Sequence, residues 1–306
     1  MAVQRPSRHD LGLNRLAYGC LVAQAAVLGL TVVVYRAHGL SIVFDHQTVL
    51  KASLPIICFV IWMSFVVLPG PRRGLITAEA ALAFFLMNAI TWIVAPGQYG
   101  ALAIGRPFVD EALAHADAAV GIDVSVLLAW VKEHPRVLTV LRWAYGTLSL
   151  QLLLAIPVMR LLRERDAMWE YVFHFHFCLI VTLVASALWP VAGPYQWFAY
   201  TTPQDLARVV TQVNGFHDGT LTVVHWAEFD GLISYPSFHT AAGLFATWAV
   251  RKRWWLVAPM MVVNTLLILA TFLTGIHYMM DTLAGAFLFA VSLLVYQVAK
   301  RHVSRS

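Results

Sequence analysis

Residues Trp254 to Thr274 read WWLVAPMMVVNTLLILATFLT, an apolar run without a single charged side chain. A helix rises about 1.5 Å per residue, so a run of this length crosses the roughly 30 Å of hydrocarbon in a bilayer. The same ruler laid along the chain finds seven further candidates: Leu16–Tyr35, Ser53–Leu68, Leu75–Ala95, Val137–Leu161, Met168–Pro190, Ser237–Val250 and Gly275–Val298. Ser53–Leu68 and Ser237–Val250 are short. About eight transmembrane helices are thus expected, in an all-α polytopic bundle.

Composition excludes the soluble alternatives. Of the 306 residues 60% are apolar and only 12% charged, with a mean hydropathy of +0.71; an ordinary globular domain carries about a quarter charged residues. Disorder needs the opposite bias. The three cysteines, Cys20, Cys58 and Cys178, sit inside apolar runs and read as inert packing rather than a disulfide framework. The net charge of +5 comes from short Lys/Arg clusters between spans, which is the pattern of topology determinants and not of a nucleic-acid footprint.

Those clusters orient the chain. One set of loops holds Arg5, Arg8, Arg15, Arg72, Arg73, Arg160, Arg163, Arg165, Arg251, Lys252, Arg253, Lys300, Arg301 and Arg305, fourteen of the twenty-one Lys and Arg residues. The alternate set holds Arg36, Lys51, Arg106, Lys132, Arg136, Arg142 and Arg208. Eight spans alternate the sets without exception, and the positive-inside rule puts both termini in the cytoplasm. The first span reads as a retained anchor, because it exceeds a signal core and lacks an A-x-A cleavage site. Two outer loops are long enough to fold. In 96–136 the apolar positions recur at helical spacing, predicting helices that lie on the membrane. Loop 191–236 is rich in Gly, Pro, Asn and Asp and reads as a cap or lid. Residues 1–74 form a two-span extension, and 75–306 a six-span core.

Ionisable residues at span ends are costly and mark function. Three stand out, His239, His277 and Asp281, and the topology brings all three to the outer face. His277 and Asp281 are four apart, the spacing that puts two side chains on one helix face. A carboxylate there can accept the imidazole Nδ1–H and leave Nε2 with a free lone pair. The bland reading is a helix-stabilising pair. Ser234-Tyr235-Pro236-Ser237-Phe238-His239-Thr240 reads as a helix start, with Pro236 in the first turn. Its free N–H groups, with the Ser237 and Thr240 hydroxyls, suit a phosphate; a simple N-terminal cap is the alternative.

Tyr235-Pro236-Ser237-Phe238-His239-Thr240 and Gly275-Ile276-His277-Tyr278-Met279-Met280-Asp281-Thr282-Leu283-Ala284-Gly285 together resemble the second and third signature motifs of the type 2 phosphatidic acid phosphatase superfamily. The order, the single helical hairpin between them and the spacings all match, over roughly residues 191–298. The resemblance implies covalent phosphoryl transfer with no metal and no cofactor. In it His277 is the nucleophile, Asp281 its orienter and His239 the acid, while Ser237 and the amides beside it hold phosphate oxygens.

Two departures matter. The superfamily's first motif, Lys, six residues, then Arg-Pro, is reduced here to Pro194 within Ser186–Tyr195. Before the third-motif histidine, Ala270-Thr271 stand where Ser-Arg is usual. Three phosphate-clamping cations are therefore missing. A phosphomonoester is nearly a dianion, whereas a diester carries one charge and needs fewer cations. The balance shifts towards an intact phospholipid, in line with the branch of inositol phosphorylceramide and sphingomyelin synthases. Those enzymes move a phospho-headgroup, such as phosphoinositol, between a phospholipid and an alcohol. Substrate-side candidates are Ser237, Phe238, Thr240, Tyr195, Arg142 and Arg208, with Arg106 a further cation on that face.

The partners implied are a membrane lipid and an alcohol or water acceptor. A lipid or polyprenyl phosphate phosphatase is the alternative function, and a metal-dependent membrane hydrolase built on two His and one Asp is the second. A Ser–His hydrolase lacks Gly-x-Ser-x-Gly, and a transporter would place its charges at mid-membrane. His174 and His176 are two apart, on different faces, and read as packing. Trp197, Tyr200 and Trp226 read as interface anchors, and Asp205, Asp218, Glu228 and Asp230 as loop charges.

Overall fold

The computed structural model describes residues 8–44, 71–198, 204–226, 229–232 and 235–305. The expected second span, Ser53–Leu68, lies outside the described residues, as do Lys51, Tyr200 and Glu228. The elements are α1 (Arg8–Ala37), β1 (Ser41–Val43), α2 (Pro71–Ala103), α3 (Asp110–Ala119), α4 (Val124–Glu133), α5 (Pro135–Leu161), α6 (Arg165–Leu188), α7 (Pro194–Trp197), α8 (Gln204–His217), β2 (Val223–His225), α9 (Phe238–Ala249), α10 (Trp254–Leu273) and α11 (Met279–Arg305). Six of these, α1, α2, α5, α6, α10 and α11, are long and apolar enough to cross a membrane. The chain is a multi-pass integral membrane protein with an all-helical bundle fold.

The expected sixth span falls short. α9 has 12 residues, a rise of only about 18 Å at the helical 1.5 Å per residue. It is nonetheless the hub, packed against α5, α6, α10 and α11. Its small residues Ala241, Ala242, Gly243, Ala246 and Ala249 are buried, or nearly so, and let the neighbours come close. A polar ladder ties three helices together, since Gln151 Nε2 donates to Asn264 Oδ1 (2.8 Å) and Asn264 Nδ2 to Thr247 Oγ1 (2.8 Å). α1 lies against α2 and α6.

The two loops also depart from expectation. α2 continues through Pro96 to Ala103, so the loop read as starting at Pro96 begins later. Tyr35 donates to the Pro96 carbonyl, a hydrogen bond of 2.9 Å from α1 to α2. The helices expected on the membrane surface exist as α3 and α4, bent by 81° at the break between them. Asp123 caps α4 by accepting from Ser125 N at 2.8 Å. Part of the polar side of α3 is turned inward, however: Asp110 and Asp117 are buried, while Glu111 and His115 are exposed. Loop 191–236 contains α7, α8 and β2, and β2 pairs in parallel with β1 in the register Ser41↔Val223. This small sheet ties the loop to the end of α1.

One end of the bundle is held by ion pairs. Glu170 accepts from Arg251 (2.7 Å) and from the Trp248 indole (2.8 Å). Glu164 accepts from Lys252 at 2.9 Å and Arg253 at 3.1 Å. Arg165 Nε donates to Glu79 at 2.6 Å. The turns 162–164 and 250–253 therefore share this end, which leaves the start of α9 and the α10–α11 turn at the other.

Candidate active site

The second motif enters its helix through Ser237, whose extended backbone (φ −64°, ψ 105°) makes it the N-cap of α9. Pro236 precedes that cap and is not in the first turn, as the sequence had suggested. Ser237 N donates to the Asp281 carbonyl at 3.0 Å, so the two motifs are joined through backbone. Gly285, one turn further along α11, permits the contact. A Cβ there would lie 2.2 Å from the Ser237 carbonyl oxygen.

The third motif occupies a tight turn. The helix expected from Gly275 starts only at Met279, so His277 lies in the turn before α11 and Asp281 in its first turn. Gly275 adopts φ +76°, a left-handed conformation that glycine tolerates. His277 N donates to the Thr271 carbonyl at 2.9 Å and closes the loop. Ala270 and Thr271, at the positions of the absent Ser-Arg, are fully buried, and Thr271 shares a 2.7 Å hydroxyl–hydroxyl bond with Thr282. Small packed side chains thus occupy the place where the superfamily carries a cation.

His277 is 2% exposed and Asp281 fully buried. The His277 Nδ1 to Asp281 Oδ2 distance is 3.5 Å, longer than a good hydrogen bond, although proximity still favours a proton on Nδ1. Asp281 Oδ2 accepts from Tyr278 N at 3.0 Å. The rings of His239 and His277 stand 6.4 Å apart between centroids, inclined at 59°. A reacting atom lies about 3–3.5 Å from its nucleophile, so the two rings stand close enough to act on one phosphorus atom.

The remaining candidates divide. Ser237 and Thr240 are buried and turned on each other, with Thr240 Oγ1 donating to Ser237 Oγ at 3.2 Å rather than pointing free. The Phe238 side chain packs on Phe175 (5.7 Å), leaving its amide as its group on the site side. Tyr195 on α7 is buried, its ring 2.9 Å from where a Gly275 Cβ would be. Arg142 is exposed on α5, one turn before Tyr145. Arg208 is engaged elsewhere, with Nε and a terminal nitrogen each 2.7 Å from the Asp230 carboxylate. The lid anchors also find a structural use, since Trp226 stacks on Trp92 of α2 at 5.2 Å.

Four site-side residues escaped the sequence. Tyr145 stacks on His239 (centroids 4.1 Å apart, planes within 15°) with its hydroxyl 3.2 Å from Nδ1. Asp117 accepts from the amides of Met279 (2.8 Å) and Met280 (2.9 Å) and so caps α11 from another helix. Burial raises its pKa against the lowering effect of those two bonds. Asp110 accepts from Ala192 N and Gly193 N, both 2.8 Å, and from the Tyr278 hydroxyl at 3.0 Å. Lys132 of α4 stands 5.6 Å from the Tyr195 ring centroid. The i,i+7 spacing of Asp110 and Asp117 was the available signal, because it sets both on one face of α3. A cavity of about 490 Å³ opens beside Tyr278, lined by His115, Ile122, Trp197 and Phe198 among others. Among the described residues no group of three His, Cys, Asp or Glu side chains is placed to hold a metal ion.

A membrane-spanning bundle with an imidazole pair, a neighbouring carboxylate and an adjoining helix N-terminus has the make-up of a lipid phosphatase or phosphotransferase. Comparison with known families agrees: the model of the PAP2 superfamily matches residues 111–295, and the chain belongs to that superfamily of phosphatases and phosphotransferases. No curated protein and no solved structure matches the chain.

Proposed function

We propose that this enzyme moves a phospho-headgroup from a membrane phospholipid to an alcohol acceptor, through a phosphohistidine on His277. In the first displacement His277 Nε2 attacks phosphorus. The N–P bond forms, the bond from phosphorus to the lipid alkoxide breaks, and protonated His239 gives its Nε2 proton to the departing oxygen. In the second, the acceptor hydroxyl loses its proton to His239 Nε2, its oxygen attacks phosphorus, and the N–P bond breaks. Asp281 holds the proton on His277 Nδ1 and offsets the positive charge of the phosphorylated ring. The first-turn amides of α9 hold phosphate oxygens. Residues 75–306 form the catalytic core, with 1–74 an extension.

The observation that carries the transferase over the phosphatase is the burial of Ala270 and Thr271 beside the imidazole pair. With those positions packed shut, the third-motif cation that favours a dianionic monoester is missing, and a singly charged diester is the better match. This supports a branch like the inositol phosphorylceramide and sphingomyelin synthases. The site faces away from the cytoplasm, because fourteen of the twenty-one Lys and Arg residues fall in the loops of the opposite face.

The test uses purified protein in detergent with labelled phosphatidylinositol, with and without diacylglycerol, ceramide or another alcohol. A new phosphodiester lipid that forms only with the alcohol supports the transferase. Free phosphate from labelled phosphatidic acid, with no such lipid, favours the phosphatase. Activity lost to a chelator and restored by a divalent ion would replace both with a metal mechanism.

A further inference from the structure

We infer that Tyr145 is a positioning residue for His239, fixing which of its ring nitrogens exchanges protons with the substrate. This role rests on the two-displacement scheme above. Tyr145 makes two contacts at once, a near-parallel ring stack at 4.1 Å and a hydroxyl 3.2 Å from His239 Nδ1. The stack limits tilting of the imidazole, and the hydroxyl, which can donate or accept, engages the Nδ1 side. In the role inferred here Nδ1 carries its proton and the phenol oxygen accepts it, so that Nε2 is the nitrogen that gains and loses one, as an acid that later becomes a base must do.

The two histidines then differ through their partners. The Nδ1 of His277 faces a carboxylate at 3.5 Å, whereas that of His239 faces a neutral phenol. A carboxylate stabilises positive charge on its imidazole and so suits the ring that carries the phosphoryl group. A phenol orients its imidazole without holding the charge there, which suits a ring that must release a proton. Environments that separate two like groups are a recurrent way of assigning acid and nucleophile. Nothing in the apolar run of α5 announces this, because the contact joins residues 94 positions apart.

Tyr145→Phe keeps the stack and removes the oxygen. Its effect is read on paired probes, the dioctanoylglycerol ester and the 4-nitrophenyl ester of one phospho-headgroup, with phosphate and phosphoinositol each tried. A glyceryl alkoxide needs a proton to leave and 4-nitrophenolate does not. Turnover of the glyceryl ester should fall about 10-fold, a part of the 10²–10⁴ ascribed to acid–base catalysis, while the nitrophenyl ester changes less than about 2-fold. Equal losses on both esters, or no loss on either, overturn the role. In parallel, ¹⁵N spectra of histidine-labelled protein, with the His239 signal assigned through His239→Gln, should show Nδ1–H in the parent and mixed tautomers in Tyr145→Phe. An unchanged His239 signal also overturns it. If the scheme itself is wrong, His277→Ala retains turnover, a result separate from either.

Discussion

The two ends of the bundle satisfy most of their carboxylates in different ways, although Asp230 of the outer loop is ion-paired with Arg208. At the end away from the histidines Glu79, Glu164 and Glu170 each meet a Lys or Arg. At the histidine end Asp110 and Asp117 are buried on backbone amides, of Ala192 and Gly193 in one case and Met279 and Met280 in the other. Ion pairs at a rim hold helices together cheaply and tolerate water. A carboxylate on consecutive amides instead fills a seat that an outside anion could take. On the scheme proposed above, with those two seats filled by α3, the start of α9 is the seat left for the substrate phosphate, while the far end holds the helices together.

Breaking the histidine end should have the larger effects. Gly285→Ala would put a methyl 2.2 Å from the Ser237 carbonyl oxygen and drive α9 from α11. We expect turnover to vanish and stability to drop by about 1–3 kcal/mol, the usual range for overpacking, as read by thermal unfolding in detergent. Next comes His239→Ala, with a loss of about 10²–10⁴ in turnover of an alkyl ester and near-parent stability. Asp117→Ala strips the cap from α11 and leaves two amides unpaired. A loss of about 2 kcal/mol follows from cap and charged hydrogen-bond values, with turnover falling because the turn that holds His277 loosens. Asp117→Asn, which keeps an acceptor, should recover part of both.

The far end should respond least. Glu164→Gln should cost under about 1 kcal/mol, as exposed ion pairs do, and leave turnover at the parent value. The hydrogen bond from Lys252, helped by the charges of Lys252 and Arg253, holds the Glu164 carboxyl below its ordinary pKa against the opposing effect of desolvation. The sign follows from that depression. The pair's contribution is present above the ordinary carboxylate range and is lost as pH falls through the depressed value. The stability gap between parent and Glu164→Gln, measured by unfolding across pH, should therefore close on acidification. A gap that widened would mean that Glu164 is not paired as described.

Much of this division was written in the chain. Hydropathy alone marks the long helices, because a bilayer admits few alternatives to a helix of that length. The His239, His277 and Asp281 set was legible in the Pro-Ser-x-His-Thr and His-x-x-x-Asp spacings at the starts of two apolar runs. What the sequence hid was long-range. Tyr145 sits in an apolar run, and only the fold brings His239 onto its face. Asp110 and Asp117 looked like the wet side of a surface helix, since alternation says that a side is polar but not what covers it. The Ser237 and Thr240 hydroxyls looked free because nothing in their order shows that they bond to each other. Arg208 was a candidate cation until Asp230, folded back from the same loop, accounted for its guanidinium.

Covalent attachment to His277 is the step on which the account depends. Protein mixed with ³²P-labelled phospholipid and quenched within its first turnover, in alkali where phosphohistidine survives, should carry label on the peptide containing His277. The label should be acid-labile, accumulate when the acceptor alcohol is withheld and be absent from His277→Ala. Turnover at full rate with no label at His277, or a His277→Ala protein that still transfers the headgroup, would contradict it.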